Sequence, residues 1–191
     1  MRTESAFSQF ITRMRTLCAQ GLEAEEKWAR SRTLLGALVT DRAFREESQS
    51  WPVGPGKELS LYLDRDYEFF VGALVRKPNH KAGAHDHGRT WTIYGVLDGE
   101  ELTRLFERVD DGLNPGQAKI ELAAEIPTPH GSVEIVRPWQ IHAENNLGER
   151  SVAITLRSEQ PGGYDQTIFH EDGTTSTHRG LQLIPFDVQM R

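Results

Sequence analysis

The sequence predicts a mainly β fold, an antiparallel sandwich or small barrel with a helical cap at its N-terminus. Three observations predict it. The spacing of apolar residues changes from helical to strand-like near residue 50. The later part contains many short runs rich in β-branched and aromatic residues, and no helical pattern separates those runs. We expect a single domain over residues 1–191, with the cap at residues 1–50 and the barrel at residues 57–191.

The cap is indicated by apolar residues that recur at three- and four-residue steps between about Ser5 and Glu47. This spacing predicts two or three amphipathic helices, the first of which ends near Gly21. A segment rich in Pro and Gly, from Pro52 to Gly56, closes the helical region. It marks the boundary between the cap and the strands.

The rest of the chain consists of short runs of Val, Ile, Leu, Phe and Tyr that turn residues separate. Because no helical pattern lies between them, antiparallel pairing is favoured over a parallel sheet. Nine of these runs are predicted to be strands: Leu59–Leu63, Glu68–Val75, Thr90–Leu97, Leu102–Arg108, Lys119–Leu122, Ser132–Val136, Ser151–Leu156, Thr167–His170 and Leu181–Pro185.

The composition excludes several classes of protein. Hydrophobic residues make up 37% and charged residues 26% of the chain, as in ordinary soluble domains. The net charge of −6 and the scattered basic residues argue against a nucleic-acid partner, and no apolar run is long enough to cross a membrane. Cys18 is the only cysteine, which excludes an intramolecular disulfide. We expect a cytoplasmic protein, without nucleic-acid or membrane partners, that is a monomer or small homo-oligomer.

A His-x-His pair, His85 and His87, directly precedes the predicted strand at Thr90–Leu97. Residues two apart on a strand project to the same face, so both imidazoles can reach one metal ion while Asp86 points away. Alone, such a pair is a weak signal, because isolated histidines are more often surface or hydrogen-bonded core residues. The surrounding residues strengthen it.

Two stretches of the sequence resemble the paired motifs of the cupin superfamily. The first, AGAHDHGRTWTIYGVLDGEE, contains the His-x-His pair and Gly99. The second, GSVEIVRPWQIHAENN, contains His142, with Pro138 four residues before it and Asn146 four residues after it. The resemblance implies a cupin double-stranded β-helix, or jelly-roll, barrel. It also implies one metal ion, held by His85, His87 and His142.

A cupin with three histidines and no carboxylate resembles the cysteine dioxygenase and 3-mercaptopropionate dioxygenase family. The glutamate that many cupins supply as a fourth ligand would fall near Thr92, and threonine cannot replace a carboxylate well. The local sequence HDHG, the helical cap and the strand LSLYLDRD strengthen the match. The resemblance implies Fe(II) as cofactor and a small thiol and O₂ as substrates. Ligand type alone does not select iron, because imidazole also binds Ni, Cu and Zn.

The sequence departs from that family at the residues expected to bind substrate, which here are Glu58, Thr155, Arg157 and Tyr164. Glu58 replaces an Arg or Gln that grips the substrate carboxylate, and Thr155, Arg157 and Glu159 replace a Ser-x-His-x-Tyr network. In one interpretation Arg157 and Glu159 are catalytic and remodel the pocket, with Arg157 receiving a carboxylate and Glu58 meeting an amine or pairing with Arg157. In the other, Arg157 and Glu159 form an exposed ion pair of little consequence. Tyr164 either replaces the missing tyrosine or occupies a turn.

Other residues near the motifs are assigned no direct chemistry. Asp86 and Asn146 are candidates for orienting the ligand imidazoles. Four histidines without a partner at ligand spacing are interpreted as surface residues: His80, His130, His170 and His178. Three aromatic residues are interpreted as core packing: Trp91, Tyr94 and Trp139.

Three functions stay open at this point. The leading hypothesis is an Fe(II) dioxygenase that oxidises a mercapto acid or aminothiol to its sulfinate. The second keeps the iron site but acts on a diketone-like or other chelating carbon acid. The third is a non-catalytic cupin that binds a metal or small ligand, against which the lack of a recognisable DNA-binding segment counts mildly.

Overall fold

The computed structural model describes residues 4–54 and 56–188, so the outermost residues of the predicted cap and barrel, 1–3 and 189–191, lie outside the described part. Three helices come first: α1 Ala6–Cys18, α2 Ala24–Val39 and α3 Arg42–Ser48. Twelve strands follow: β1 Lys57–Leu63, β2 Phe70–Arg76, β3 Ala84–His85, β4 Thr92–Asp98, β5 Glu100–Arg108, β6 Ile120–Pro129, β7 Val133–Val136, β8 Ile141–Asn146, β9 Ser151–Arg157, β10 Gln166–Phe169, β11 Thr175–His178 and β12 Gln182–Pro185.

The helices begin and end at residues suited to those positions. Ser5 caps α1, its hydroxyl accepting a hydrogen bond from the Ser8 amide at 3.2 Å, and Asp41 caps α3 in the same way at Phe44. Beyond α1 the chain turns at Gly21, whose φ of +64° is a conformation that glycine adopts freely. Within residues 4–54 and 56–188, no helix has the length and apolar character needed to span a bilayer.

Eight successive strands, β2 to β9, form a jelly roll. Four lie in the first sheet in the order β2-β9-β4-β7, and four in the second sheet in the order β3-β8-β5-β6. All neighbours in these two sets pair antiparallel. β1 and β12 extend the first sheet, and β10 and β11 the second. This strand order is that of the double-sheet jelly roll of cupins, so the predicted mainly β fold with N-terminal helices is confirmed.

The first sheet has an apolar outer face and a mixed inner face, which carries buried polar side chains beside the apolar cluster of Leu74, Tyr94, Val96 and Ala153. On β9, Val152, Ile154 and Leu156 pack with the helices in the main hydrophobic core, whereas Thr155 and Arg157 point into the barrel, as the alternation of a strand requires. The helices therefore cover only the outer face. The buried polar side chains of this sheet face the barrel interior, where the candidate site lies.

The structure adds three strands to the nine predicted ones, of which β8 matters most for the site. Its sequence, Ile141–Asn146, is rich in His, Glu and Asn, which are poor strand formers. All six residues are nevertheless buried, because β8 lies between β3 and β5 in the second sheet. Its tertiary neighbours, rather than its own propensity, make it a strand.

Candidate metal centre

Three histidines from the two predicted motifs meet inside the barrel. His85 on β3 and His142 on β8 are directly paired across the two strands, and His87 follows two residues after His85. The ring centroids are 4.5 to 5.0 Å apart. One nitrogen from each ring lies within 4.8 Å of the other two, so this cluster could bind a metal ion.

Backbone contacts determine which ring nitrogen of His85 and of His142 is free to bind a metal. Nδ1 of His85 lies 3.0 Å from the Gly83 carbonyl, and Nδ1 of His142 lies 2.9 Å from the Gln140 carbonyl. A carbonyl only accepts hydrogen bonds, so Nδ1 carries the proton in both rings and Nε2 keeps its lone pair. His142 Nε2 and His87 Nδ1 are buried and have no hydrogen-bond partner among the described residues. Such orphaned ring nitrogens fit a transition metal that accepts imidazole.

Two of the three imidazoles, His85 and His87, are held in the neutral form that binds a metal. Burial, followed by the proximity of the other imidazoles, lowers the pKa of His85 to about 4 and that of His87 well below its usual value. Burial also lowers the pKa of His142, but the Glu144 carboxylate outweighs this and raises it overall. Neutral imidazoles do not have to lose a proton to bind a metal at pH 7.

Asp86 holds the loop that carries His87. Its side chain points away from the cluster, as predicted, and Oδ1 accepts hydrogen bonds from the amides of Gly88 at 2.9 Å and Thr167 at 3.0 Å. At Gly88, which has a φ of +53°, a Cβ atom would lie 2.4 Å from the Asp165 carbonyl oxygen, so only glycine fits. The Gly88 carbonyl in turn accepts from the amide of Trp139. Asp86 therefore positions His87 through the backbone rather than by touching a ligand ring.

Two of the other residues singled out near the motifs, Asn146 and Trp139, have different surroundings from those expected. Asn146 bonds the backbone of Lys77 and Gly148 rather than an imidazole. Trp139, interpreted above as core packing, is 65% exposed. Both lie outside the ligand cluster.

An acidic residue that the sequence analysis did not select lies beside the cluster. Glu144 is two residues after His142 on β8, so both side chains project from the same face. It is only 4% exposed, and its Oε1 is 3.3 Å from His142 Nε2. Burial raises the pKa of Glu144, but His142 and the other nearby cationic groups outweigh this and hold it well below the usual value. The site therefore contains a buried carboxylate as well as three imidazoles.

Arg157 and Glu58 form a buried ion pair on the opposite wall. Arg157 Nη1 donates to Glu58 Oε1 at 2.7 Å, and the Thr155 hydroxyl donates to the same oxygen at 2.6 Å. Arg157 is 5% exposed, and its Nε has no hydrogen-bond partner among the described residues. Gly72 leaves room for the carboxylate, since a Cβ there would lie 2.5 Å from Glu58 Oε1. Burial disfavours the charged form of Arg157, but Glu58 and the other nearby acidic groups outweigh this and raise its pKa.

Glu159 and Tyr164 are placed differently from Arg157. Glu159 is partly exposed and forms an ion pair with Arg89 at 2.8 Å. Arg157 pairs with Glu58 instead, so the predicted exposed ion pair between Arg157 and Glu159 is wrong, while the catalytic role of the two residues stays a prediction. Tyr164 is buried, and its hydroxyl is 3.5 Å from Gln166 Nε2. The charge of the nearby Arg157 guanidinium also acts on this hydroxyl. Glu159 and Tyr164 are not among the described residues that line the cavity.

A second buried charge network lies farther along the same cavity. Arg76 Nη1 donates to both oxygens of Glu101, at 2.9 and 2.8 Å, and Tyr94 and Ser151 donate to the same carboxylate. Arg76 also hydrogen-bonds the Tyr94 hydroxyl, and its Nη2 is 3.6 Å from Glu144 Oε2. Tyr94 packs in the core, as interpreted above, with Leu74, Val96 and Ala153, and its hydroxyl also belongs to this polar network.

The cavity has a volume of about 380 Å³ and is lined by residues of the histidine cluster and of both charge networks. This is within the range of small-ligand sites. His85, His87, Glu144 and Arg157 line its interior. Its other ionisable lining residues, which include two histidines interpreted above as surface residues, are Lys57, Glu58, Arg76, Lys77, His80, Lys81, Tyr94 and His178.

Comparisons with solved structures return proteins of low sequence identity to this chain. An oxalate oxidase is 18% identical, with a TM-score of 0.42, over 55% of this chain and 50% of its own, so this chain matches about half of that protein. A double-stranded β-helix protein from Klebsiella pneumoniae is 15% identical over 64% of this chain and 87% of its own, with a TM-score of 0.44. The Cnp3 cupin domain of Schizosaccharomyces pombe is 12% identical over 59% and 66%, with a TM-score of 0.45.

No protein-family model and no curated protein matches the chain. The assignment of the fold therefore rests on the strand order, which is that of a jelly roll. The chain has a double-sheet jelly-roll fold and carries, inside its barrel, a three-histidine cluster that could bind a metal.

Proposed function

We propose that the protein is a mononuclear Fe(II) dioxygenase that oxidises a small mercapto acid to its sulfinate, adding both atoms of O₂ to the sulfur. One observation carries the proposal: His85 and His87 line a cavity that is also lined by the buried guanidinium of Arg157. Imidazoles suit the metal, and a guanidinium suits a carboxylate on the substrate. The resemblance of the two motifs to thiol dioxygenases supports the choice of reaction.

His85, His87 and His142 would hold the metal. When bound, Fe(II) supplies a site for the thiolate and for O₂ and the redox chemistry that joins them. A reducing cytoplasm, which the single cysteine Cys18 favours, would keep the iron in that state. The remaining tasks, which are substrate orientation and exclusion of water, fall to the side chains of the cavity.

Arg157 is the group that would orient the substrate. Among the described residues, Glu58 and Thr155 engage Nη1 of the guanidinium, so an incoming carboxylate would bind the part of the guanidinium that lines the cavity. A guanidinium fixed in this way loses little side-chain entropy when it binds an anion. In this proposal Glu58 positions Arg157 and does not repel the substrate, because its charge is already paired.

The charges of the cavity favour an acidic thiol over an aminothiol. Among the described residues that line it, five carry a cationic side chain and two carry a carboxylate. Lys57, Lys77 and Lys81 form no ion pair with any residue in the described ranges, and all three are exposed. A cationic cavity in a chain with a net charge of −6 attracts small anions and raises their local concentration.

The test is O₂ uptake by anaerobically Fe(II)-loaded protein given 3-mercaptopropionate, cysteine, cysteamine or a β-diketone. We expect uptake coupled to sulfinate formation with 3-mercaptopropionate, and much slower turnover with cysteamine, which lacks a carboxylate. No uptake with any thiol, despite stoichiometric iron, would contradict the proposal. Uptake with the β-diketone alone would replace it by the carbon-acid reaction.

A matched pair of variants tests the role of Arg157. Arg157→Lys keeps the charge but removes the planar fork, so KM for 3-mercaptopropionate should rise by about ten-fold or more. Arg89→Lys makes the same change at an ion pair outside the cavity lining and should leave KM unchanged. Equal effects of the two substitutions would contradict the assignment of Arg157.

A further inference from the structure

Gln166 is a buried amide of the cavity wall with little hydrogen bonding of its own. It lies on β10, two residues before Ile168, so both side chains project from one face, and both line the cavity. Gln166 is only 6% exposed. Within residues 4–54 and 56–188, its side chain makes one hydrogen bond, from Nε2 to the Tyr164 hydroxyl at 3.5 Å, which is the long limit for such a contact. A primary amide can both donate and accept hydrogen bonds, and most of this capacity is unused.

The backbone places Gln166 close to both the histidine cluster and Arg157. Ile168 pairs with His85 across β10 and β3, so Gln166 is about 7 Å along the strand from a residue directly opposite that histidine. On its other side Gln166 contacts the Tyr164 hydroxyl. Burial raises the pKa of Tyr164, and the nearby Arg157 guanidinium partly offsets this. A ligand that reaches from the histidines to Arg157 would therefore pass close to Gln166.

The unused hydrogen bonds of Gln166 matter once a ligand fills the cavity. Solvent can satisfy the amide while the cavity is open, but a bound molecule displaces that solvent. An amide that then faces a methylene group loses hydrogen bonds without replacement, which disfavours binding. A polar group at that position of the ligand restores them. Gln166 is therefore placed to discriminate between ligands that carry such a group and ligands that do not.

We propose that Gln166 binds a hydroxyl group on the carbon next to the substrate carboxylate, so that the preferred substrate is a 2-hydroxy mercapto acid. The inference rests on the proposed function, in which the histidines hold the metal and Arg157 binds the carboxylate. An ammonium group at the same position fits less well, because a neutral amide does not compensate its charge and cationic side chains outnumber carboxylates among the described lining residues. A cavity of about 380 Å³ leaves room for a hydroxyl group added to 3-mercaptopropionate.

The test is a binding cycle with two thiols, 3-mercaptolactate and 3-mercaptopropionate, which differ only in this hydroxyl group. Their dissociation constants are measured by isothermal titration calorimetry on anaerobic Fe(II)-loaded protein, which cannot turn over without O₂. We expect the unmodified protein to bind 3-mercaptolactate about three- to ten-fold more tightly, as one neutral hydrogen bond allows. Gln166→Met keeps the length of the side chain but removes the amide, and it should reduce this preference to less than about two-fold.

Two control variants separate this role from others. Gln182→Met makes the same change at an exposed glutamine on β12, outside the described lining of the cavity, and should keep the preference for 3-mercaptolactate. Tyr164→Phe removes the hydroxyl that contacts Gln166 and should also keep the preference, because Gln166 itself touches the substrate in this proposal. Far-UV circular dichroism checks that each variant is folded.

Several outcomes would overturn the assignment. One is equal affinity of the unmodified protein for the two thiols, and another is a preference that survives in Gln166→Met. Loss of the preference in Tyr164→Phe as well would make Gln166 only a support for Tyr164. Thiol-dependent O₂ uptake with equal affinities would contradict this inference and leave the proposed function in place. The expected preference without O₂ uptake would keep Gln166 as a binding residue and remove the proposed reaction, whereas failure of both thiols to bind would overturn both.

Discussion

The two faces of the first sheet differ sharply although the same strands build them. On the outer face, side chains of β2, β4 and β9 such as Val71, Ile93 and Ile154 are fully buried against the helices and other apolar side chains. On the inner face, the same strands bury Arg76, Tyr94 and Arg157. Alternation along a strand thus separates two tasks: one face supplies apolar burial for folding, and the other supplies charges for chemistry.

The difference also has an energetic side. Each apolar side chain on the outer face gains free energy simply by leaving water. A charge on the inner face loses free energy unless a partner compensates it, and even a well-paired buried ion pair adds little stability. Substitutions on the two faces should therefore affect different measurements.

The largest expected effect is on metal binding. His142→Ala removes a ligand from the centre of the cluster and should abolish stoichiometric binding of Co(II) or Fe(II), measured by metal analysis after gel filtration. Ile154→Ala, on the outer face, should lower the free energy of unfolding by about 2–5 kcal/mol and leave metal affinity unchanged. If Ile154→Ala impairs metal binding as strongly in a folded protein, the two faces are not independent.

The next effect concerns the buried pair of the inner face. Arg157→Met leaves Glu58 buried without its cation, and we expect a loss of about 3–5 kcal/mol in the free energy of unfolding, measured by urea denaturation. The double variant with Glu58→Gln should be more stable than Arg157→Met alone, because the unpaired charge is gone. A double variant that is less stable than either single one would contradict this account.

Two glycines allow the faces to be compared with the same small change. A Cβ at Gly95, on the outer face, would lie 3.0 Å from Val39 and 3.2 Å from Leu35, so Gly95→Ala should cost about 1–3 kcal/mol of stability without affecting substrate. A Cβ at Gly72, on the inner face, would displace the Glu58 carboxylate. Gly72→Ala should therefore also raise KM for 3-mercaptopropionate, and steady-state kinetics alongside denaturation would separate the two responses.

The smallest effect concerns acid stability, where the cap meets the barrel. Asp64 accepts hydrogen bonds from the amides of Asp66 and Tyr67 and from Arg15 on α1. Burial raises the pKa of Asp64, but these hydrogen bonds outweigh it and hold the pKa below its usual value. Because the folded pKa is depressed, the stabilisation is present above about pH 4 and is lost as pH falls through the folded pKa.

Asp64→Asn should therefore cost on the order of 1 kcal/mol at pH 7 and less in acid. Thermal melts from pH 7 to pH 2.5 measure this difference. A stability difference between the two proteins that is independent of pH would show that the charge of Asp64 is not responsible.

Much of the fold and part of the site follow from the sequence. The nine predicted strands correspond to observed ones because their apolar residues carry the signal, and the His-x-His spacing places His85 and His87 in one cluster. Glu144 was missed because β8 has an unfavourable strand composition, although the rule applied to His85 and His87 also relates Glu144 to His142. The pairing of Arg157 with Glu58 depends on β2 lying between β1 and β9, and no local pattern reveals that order.

The exposed position of Trp139 gives the protein a built-in optical reporter. Trp139 lies against Gly88, the residue after His87, and three residues before His142. Two other tryptophans, Trp28 and Trp51, are almost completely buried. Emission from the solvated indole should therefore lie at longer wavelength than theirs, and its quenching by Co(II) or Cu(II) would follow loading of the metal centre without an added dye.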